Sequence, residues 1–314
     1  MNADLRLVLV GGNLESERVL RALLEADHGP RIVGVVVPGG RLTERTSDLG
    51  EVEQVAIRMG LTTHSTDTIN STRTVEWLRS VSPTHVFVTG WSQLLHQGFL
   101  SVPTGFTVGS HPSDLPYGRG RAPIPWTLLE GATNSAVSLF RMDIGVDSGP
   151  VVLKRRFGIE PGWHAADLYE HVSRILAAAF VELVGQLGDR TWTEQTQDGT
   201  MATYRAAREP EDGRLDFTRP ALELERLIRA VSRPYPGAFC YLRETLVQTF
   251  EAPMIPLIQF KGVPGQVLKS CPGAILVQAA DRPLWLADLF LEGQPISGTD
   301  LARHGRLTAR PEPR

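Results

Sequence analysis

The first hundred residues alternate between two periodicities, and this alternation constrains the fold more than any other feature of the chain. Arg6–Val10 is a short apolar run ending in Gly11-Gly12, and Leu14–Leu24 repeats its apolar positions at helical spacing. Arg31–Val37 is a β-branched run closed by Pro38-Gly39-Gly40. Glu51–Met59 and Thr72–Arg79 read as helices, and His85–Val88 as a buried strand. Strand and helix in turn at this spacing predict a parallel α/β sheet with helices on its faces. Ligands of such sheets lie beyond the carboxyl ends of the strands.

A long amphipathic helix is expected over Ala165–Leu187, its Ile175, Leu176, Phe180, Leu183 and Val184 packing on the sheet. The polar, turn-rich stretch that follows reads as a linker. Beyond it the pattern changes to one short helix, Leu222–Val231, and then to Ala238–Leu242, Leu246–Phe250, Gly265–Leu268, Ala274–Val277 and Leu284–Leu291. Short strands at regular intervals predict a small β-barrel. A chain of 314 residues exceeds one ordinary core. The expected division is a catalytic domain over 1–188, a linker over 189–204 and a barrel domain over 205–314, with Pro311–Arg314 as a frayed tail.

Composition excludes several classes. Apolar residues make up 42% and charged ones 21%, a globular balance. The longest apolar stretches are strand-sized, far short of the roughly 20 residues of a membrane span. Asn2-Ala3-Asp4 does not open a signal peptide, so the expected compartment is the cytoplasm. Cys240 and Cys271 form neither a metal nor a redox spacing. His164 and His171 lack a third ligand, so zinc is not expected. The net charge of −3 gives no global attraction to nucleic acid.

Common nucleotide motifs are absent. Val10-Gly11-Gly12-Asn13-Leu14-Glu15-Ser16 lacks the glycines of a dinucleotide fingerprint, and there is no Walker loop. Gly90-Trp91-Ser92-Gln93 begins like a nucleophile elbow, but Leu94 stands where its closing glycine belongs.

Two punctuated segments carry the chemistry. Gly109-Ser110-His111-Pro112-Ser113-Asp114-Leu115-Pro116-Tyr117-Gly118-Arg119-Gly120-Arg121-Ala122-Pro123 follows the apolar run Phe106–Val108. Its prolines cannot pair as a central strand, so it reads as a shaped loop over the ligand crevice, with His111 placed to move protons. Ala136–Met142 reads as a strand broken by Asp143-Ile144-Gly145-Val146-Asp147-Ser148-Gly149-Pro150. Asp147 can fix the imidazole of His111, stabilise its cation or take a proton; alternatively it closes an Asx-turn.

His-Pro-Ser-x-Leu-Pro, then Arg119-Gly120-Arg121-Ala122-Pro123, then Asp147-Ser148-Gly149-Pro150 resembles the tetrahydrofolate-dependent formyltransferase family. Val8–Val37 is similar to the family's first strand–helix–strand. Arg208–Gly213 and Pro234-Tyr235-Pro236-Gly237-Ala238-Phe239 resemble the UDP-4-amino-4-deoxy-L-arabinose formyltransferase type. The resemblance implies a Rossmann-like domain followed by a small OB-like barrel, and formyl transfer from N10-formyltetrahydrofolate to an amine. It implies catalytic roles for His111 and Asp147, folate contacts at Gly90, Trp91, Ser92, Leu94 and Leu95, and acceptor contacts at Tyr117, Arg119 and Arg121.

One departure stands out. The family places an asparagine two residues before the histidine to hold the formyl oxygen, and this chain has Gly109. Loss of one such donor costs about 2.7–4 kcal/mol elsewhere. Ser110, Ser113, Gln93 or a backbone N–H replaces it, or the space admits an unusual donor or acceptor, or transfer has been lost.

For the acceptor, charge weighs against tRNA. From Arg205 onward there are 15 basic and 13 acidic residues, a difference of +2. Pro38–Leu49 balances Arg41 and Arg45 against Glu44 and Asp48. The expectation is therefore a small amine, a nucleotide-linked amino sugar. The alternatives are methionyl-tRNA formyltransferase, a formyltetrahydrofolate hydrolase or an idle folate- or nucleotide-binding homologue. No membrane partner is expected, and a homodimer through an exposed barrel face is the oligomer in view.

Overall fold

The computed structural model describes residues 2–27, 29–44, 49–253, 255–256, 260–303 and 306–311, and of 2–4 the backbone alone. Arg45, Asp48 and the tail beyond Pro311 lie outside them. The chain forms two compact units, Met1–Pro123 with Asn134–Gly158 and Tyr169–Ala206, and Ile124–Thr133 with Ile159–Leu168 and Ala207–Arg314.

In the first unit the chain runs through β1 (Asn2–Val10), α1 (Leu14–Glu25), β2 (Pro30–Pro38), α2 (Gly40–Thr43), α3 (Val52–Arg58), β3 (Thr63–Thr66), α4 (Thr72–Val81), β4 (His85–Val88), α5 (Gln97–Leu100) and β5 (Thr107–His111). Then follow β6 (Arg119–Gly120), α6 (Pro123–Leu129), which belongs to the second unit from Ile124 onward, β7 (Asn134–Arg141), β8 (Val151–Gly158), α7 (Ala165–Asp189), in this unit from Tyr169 onward, and β9 (Tyr204–Arg205). The sheet order is β3-β2-β1-β4-β5-β7-β8. Leu7–Val10 of its strand β1 are fully buried, and Phe180 of α7 packs on Phe87 with ring centroids 4.8 Å apart. Each such side chain contributes roughly 1.5–3 kcal/mol by leaving water. Asn13 caps α1 by accepting from the Ser16 N–H at 3.1 Å.

The expected all-parallel sheet needs correction. β1 to β5 are parallel, but β7 runs antiparallel to β5 and β8 antiparallel to β7. The 142–150 loop is too short for the crossover that parallel neighbours require. The strand order reverses between β1 and β4, which places the crevice at the carboxyl ends of β1, β4 and β5.

The second unit holds α8 (Ala221–Ala230), β10 (Ala238–Leu242), β11 (Thr245–Glu251), β12 (Val267–Cys271), β13 (Ala274–Gln278), β14 (Pro283–Leu291), β15 (Gln294–Pro295), α9 (Gly298–Ala302) and β16 (Leu307–Thr308). The antiparallel order is β12-β13-β14-β11-β10-β16, with β15 on β14. Leu224 and Ile228 of α8 share a core with Cys240, Val247, Ile275 and Leu286. The ladder is open rather than closed into a barrel, with β12 and β16 at its ends. Among the described residues no helix is long and apolar enough to cross a membrane.

Candidate active site

His111 is the last residue of β5, paired with Ser138 of β7 and 5% exposed. His111 thus stands at a strand's carboxyl end, as the apolar run Phe106–Val108 predicts, and the strand also takes in Gly109 and Ser110, which the sequence assigned to the loop, because the first proline comes only at Pro112. The His111 Nε2 lies 2.7 Å from the Gly118 carbonyl oxygen. A carbonyl only accepts, so Nε2 carries the hydrogen and Nδ1 is the nitrogen left for proton exchange. That Nδ1 faces Asp147 Oδ2 at 3.7 Å, an ion-pair rather than a hydrogen-bond distance.

Asp147 reaches this position through the loop after β7. Its backbone is left-handed, φ +49°, and its Oδ2 accepts from the Gly120 N–H at 2.8 Å. The Asx-turn role belongs instead to Asp143, whose Oδ1 accepts from Gly145 N–H at 2.9 Å and Ser148 O–H at 2.8 Å. With the turn closed by Asp143, the Asp147 carboxylate remains available to His111.

The space beside Gly109 is already filled. A β-carbon there would lie 2.9 Å from both Phe140 Cζ and Met142 Cγ. Phe140 and Met142 pack with Leu115 and Val151 in an apolar cluster. The notion that glycine opens room for an unusual donor or acceptor is thus corrected. Of the substitute donors, Ser113 is 3% exposed and its hydroxyl is buried without a hydrogen-bond partner. Ser110 is half-buried in β5. Gln93 is not brought to His111, because its amide donates to Asp67 O at 2.8 Å and accepts from Ile69 N–H at 2.9 Å.

The segment after β4 approaches the α1 cap closely. Gly90 has φ +61°, and a β-carbon there would lie 2.0 Å from Asn13 Oδ1, so only glycine lets the chain pass. Trp91 packs on the core formed with Val8, Val88 and Phe99, and its Nε1 is buried without a partner. That orphaned donor is the feature of this segment that fits a polar heterocycle. Ser92 is exposed, Leu94 is 53% exposed and Leu95 is a core residue.

Of the residues expected to contact the acceptor, Tyr117 is exposed and lines a cavity of about 260 Å³ with Lys154, Gln197 and Met201. Lys154 Nζ donates to Asp114 Oδ1 at 2.7 Å and Leu115 O at 2.6 Å, bracing the loop. Burial raises the Asp114 carboxyl, but hydrogen bonds and charge from Arg156 and Lys154 outweigh it and hold it below its ordinary range. Arg121 is exposed. Arg119 is not free to meet an acceptor. It is 4% exposed, and its guanidinium donates to Gln197 Oε1 and the Tyr204 hydroxyl.

Gln197 and Thr203 escaped the sequence reading because they stand in the polar stretch taken as a linker. Thr203 Oγ1 accepts from the Gly118 N–H at 2.8 Å, and β9 pairs with β6. No local signal marks either residue. Among the described residues no group of three or more His, Cys, Asp or Glu side chains is placed to hold a metal.

A family model described as "Formyl transferase" matches residues 5–184, and one described as "Formyl transferase, C-terminal domain" matches 208–305. A methionyl-tRNA formyltransferase of Pseudomonas syringae pv. syringae is 30% identical over 304 residues, covering 96% of this chain and 95% of that protein. One from Myxococcus xanthus is 34% identical over 247 residues, covering 78% and 77%. The crystal structure of an N-formyltransferase from Helicobacter canadensis, with folinic acid and dTDP-3-aminofucose, is similar in fold. Its TM-score is 0.69 at 16% identity, over 91% of this chain and 100% of that one.

These relatives overturn the amino-sugar acceptor expected from the sequence. In the second unit Arg208, Arg214, Arg219, Arg226 and Arg310 line one cavity of about 880 Å³ together with Glu130, Glu211, Asp212, Asp216 and Glu223, so charge there is balanced as well.

Proposed function

The chain belongs to the formyl transferase family as an N10-formyltetrahydrofolate-dependent formyltransferase, and on that premise we propose that it formylates the amino group of methionyl-tRNA. The acceptor is supported by relatives named methionyl-tRNA formyltransferase, one of them matched over 96% of this chain. The observation that carries the transfer chemistry is the His111–Asp147 pair, with Nε2 tied to Gly118 and Nδ1 turned to the carboxylate.

N10-formyltetrahydrofolate supplies an activated formyl carbon. The attacking amine must shed a proton, and the departing folate nitrogen must gain one. His111 Nδ1 takes that proton, and Asp147 at 3.7 Å stabilises the resulting imidazolium by charge. Returning the proton to the leaving nitrogen closes the cycle with no net change on the pair. Ser113, with its buried unpartnered hydroxyl, is the donor assigned to the formyl oxygen in place of the family's asparagine. The Trp91 Nε1 and the backbone of Gly90–Leu95 are assigned to the folate. Residues 1–188 are read as the catalytic domain, 189–204 as its link and 205–314 as an OB-like second domain. The two family matches support that division. For the OB-like reading, the Leu307 N–H donating to Gly265 O at 2.9 Å draws the sheet's ends together.

The test supplies N10-formyltetrahydrofolate with methionyl-tRNA, uncharged tRNA or no acceptor, and follows formylmethionine and free formate by mass spectrometry. Formylmethionine only with charged tRNA supports the reading. Formate released without acceptor, or an intact folate throughout, refutes it.

A further inference from the structure

We propose that Gln197 is a positioning residue that holds Asp147 against His111. The inference rests on the catalytic reading of that pair. One amide grips the Asp147 loop at two points: its Nε2 donates to Asp147 O at 2.8 Å and to Gly149 O at 2.6 Å. Its Oε1 accepts from Arg119 Nη2 at 2.8 Å and Nε at 3.2 Å.

The chemistry fixes this orientation. Arginine only donates and carbonyls only accept, so the amide cannot be flipped. Of the two isosteric side chains, a glutamate would turn an oxygen toward two carbonyl oxygens. Among the described residues Arg119 has no ion pair, so its buried guanidinium depends on Gln197 Oε1 and the Tyr204 hydroxyl.

Asp147 needs such a hold. A left-handed φ costs a residue with a β-carbon on the order of 1 kcal/mol and persists only where surroundings enforce it. The carboxylate has a second anchor, the Gly120 N–H. Gly120 sits in β6, and the residues on either side of it are bonded to the segment of β9: Arg119 N–H to Thr203 O at 2.9 Å and Arg121 N–H to Arg205 O at 3.0 Å. The segment from Gln197 to Arg205 therefore holds the carboxylate's own residue through one end and its N–H donor through the other.

The geometry provides a test independent of activity. In the full-length protein, Gln197→Glu keeps an oxygen for Arg119 but loses both N–H donors, while Gln197→Leu loses everything. Amide exchange measured by NMR should rise about tenfold at Gly120 in Gln197→Glu, as the carboxylate bonded to it swings free, and stay unchanged at Arg119 and Arg121. The turnover of formyl transfer should fall about 100-fold with KM for the folate and the melting temperature unchanged. Gln197→Asn, with an amide on a shorter stem, should fall between the two.

Unchanged exchange at Gly120 overturns the proposal. Acceleration at all three amides also overturns it, since Gln197 would then only brace the β6–β9 ladder. Should the wild-type protein formylate nothing, the functional reading fails while the Gly120 exchange still decides the role of Gln197.

Discussion

Phe140 closes off Gly109: across the β5–β7 ladder its ring stands where a side chain at 109 would have to begin, 2.9 Å from the β-carbon position. The two residues are direct partners in the antiparallel register, so both side-chain positions share one face of the sheet. The glycine is thus matched to its neighbour, and Met142 completes the cover.

Restoring the family's asparagine at this position should consequently fail. Gly109→Asn is expected to destabilise the fold by about 1–3 kcal/mol through overpacking, and to leave turnover no higher. Combining it with Phe140→Ala should recover much of that stability by removing the clashing ring. Urea unfolding and steady-state kinetics on the single and double variants check this. A rise in turnover for Gly109→Asn alone would contradict the packing argument.

His111 and Asp147 should behave as one unit. His111→Ala and Asp147→Asn are each expected to lower kcat/KM by about 10²–10⁴-fold with the fold intact. The double variant should cost little more than the worse single one, because either loss already disables the pair. Losses that multiply in the double variant would mean that the two residues act separately.

Acid should weaken the first unit in a defined window. Burial pushes the His85 imidazole down to about 4, edge-on against Phe106 with centroids 4.8 Å apart. The folded pKa lies below the unfolded one, so the unfolded chain binds more protons between them. Stability is fully present above about pH 6.5 and is lost as the pH falls toward about 4. Burial, with the charge of Arg73 or Arg174 second, moves His64 and His171 the same way. Urea midpoints at about pH 7 and about pH 5 should differ, and less so in His85→Gln. An equal difference in that variant would remove His85 as a cause.

Much of this site was visible in consecutive residues. His111 and Asp147 stand in proline- and glycine-punctuated segments at strand ends, and period-2 and period-3.6 patterns located β1, β2, β4, β7 and the long α7, but not β3, α6 or β8. The errors share one origin. An all-parallel sheet and a closed barrel are statements about pairing, and pairing direction is not written in hydrophobic periodicity. The acceptor was misjudged because a near-neutral charge balance does not distinguish one acceptor from another: the cavity lined by five arginines carries five carboxylates too.

The sequence by itself determined which residue types could do chemistry and which stretches would be strand, helix or turn, because these depend on neighbours within a few positions. Only the tertiary structure decided that Phe140 and Met142 fill the space beside Gly109, that Asp143 rather than Asp147 closes the turn, and that Gln197 bonds to Asp147 from 50 positions further along the chain. Those contacts follow from strand direction and register, where a shift of a single residue would send each side chain to the opposite face.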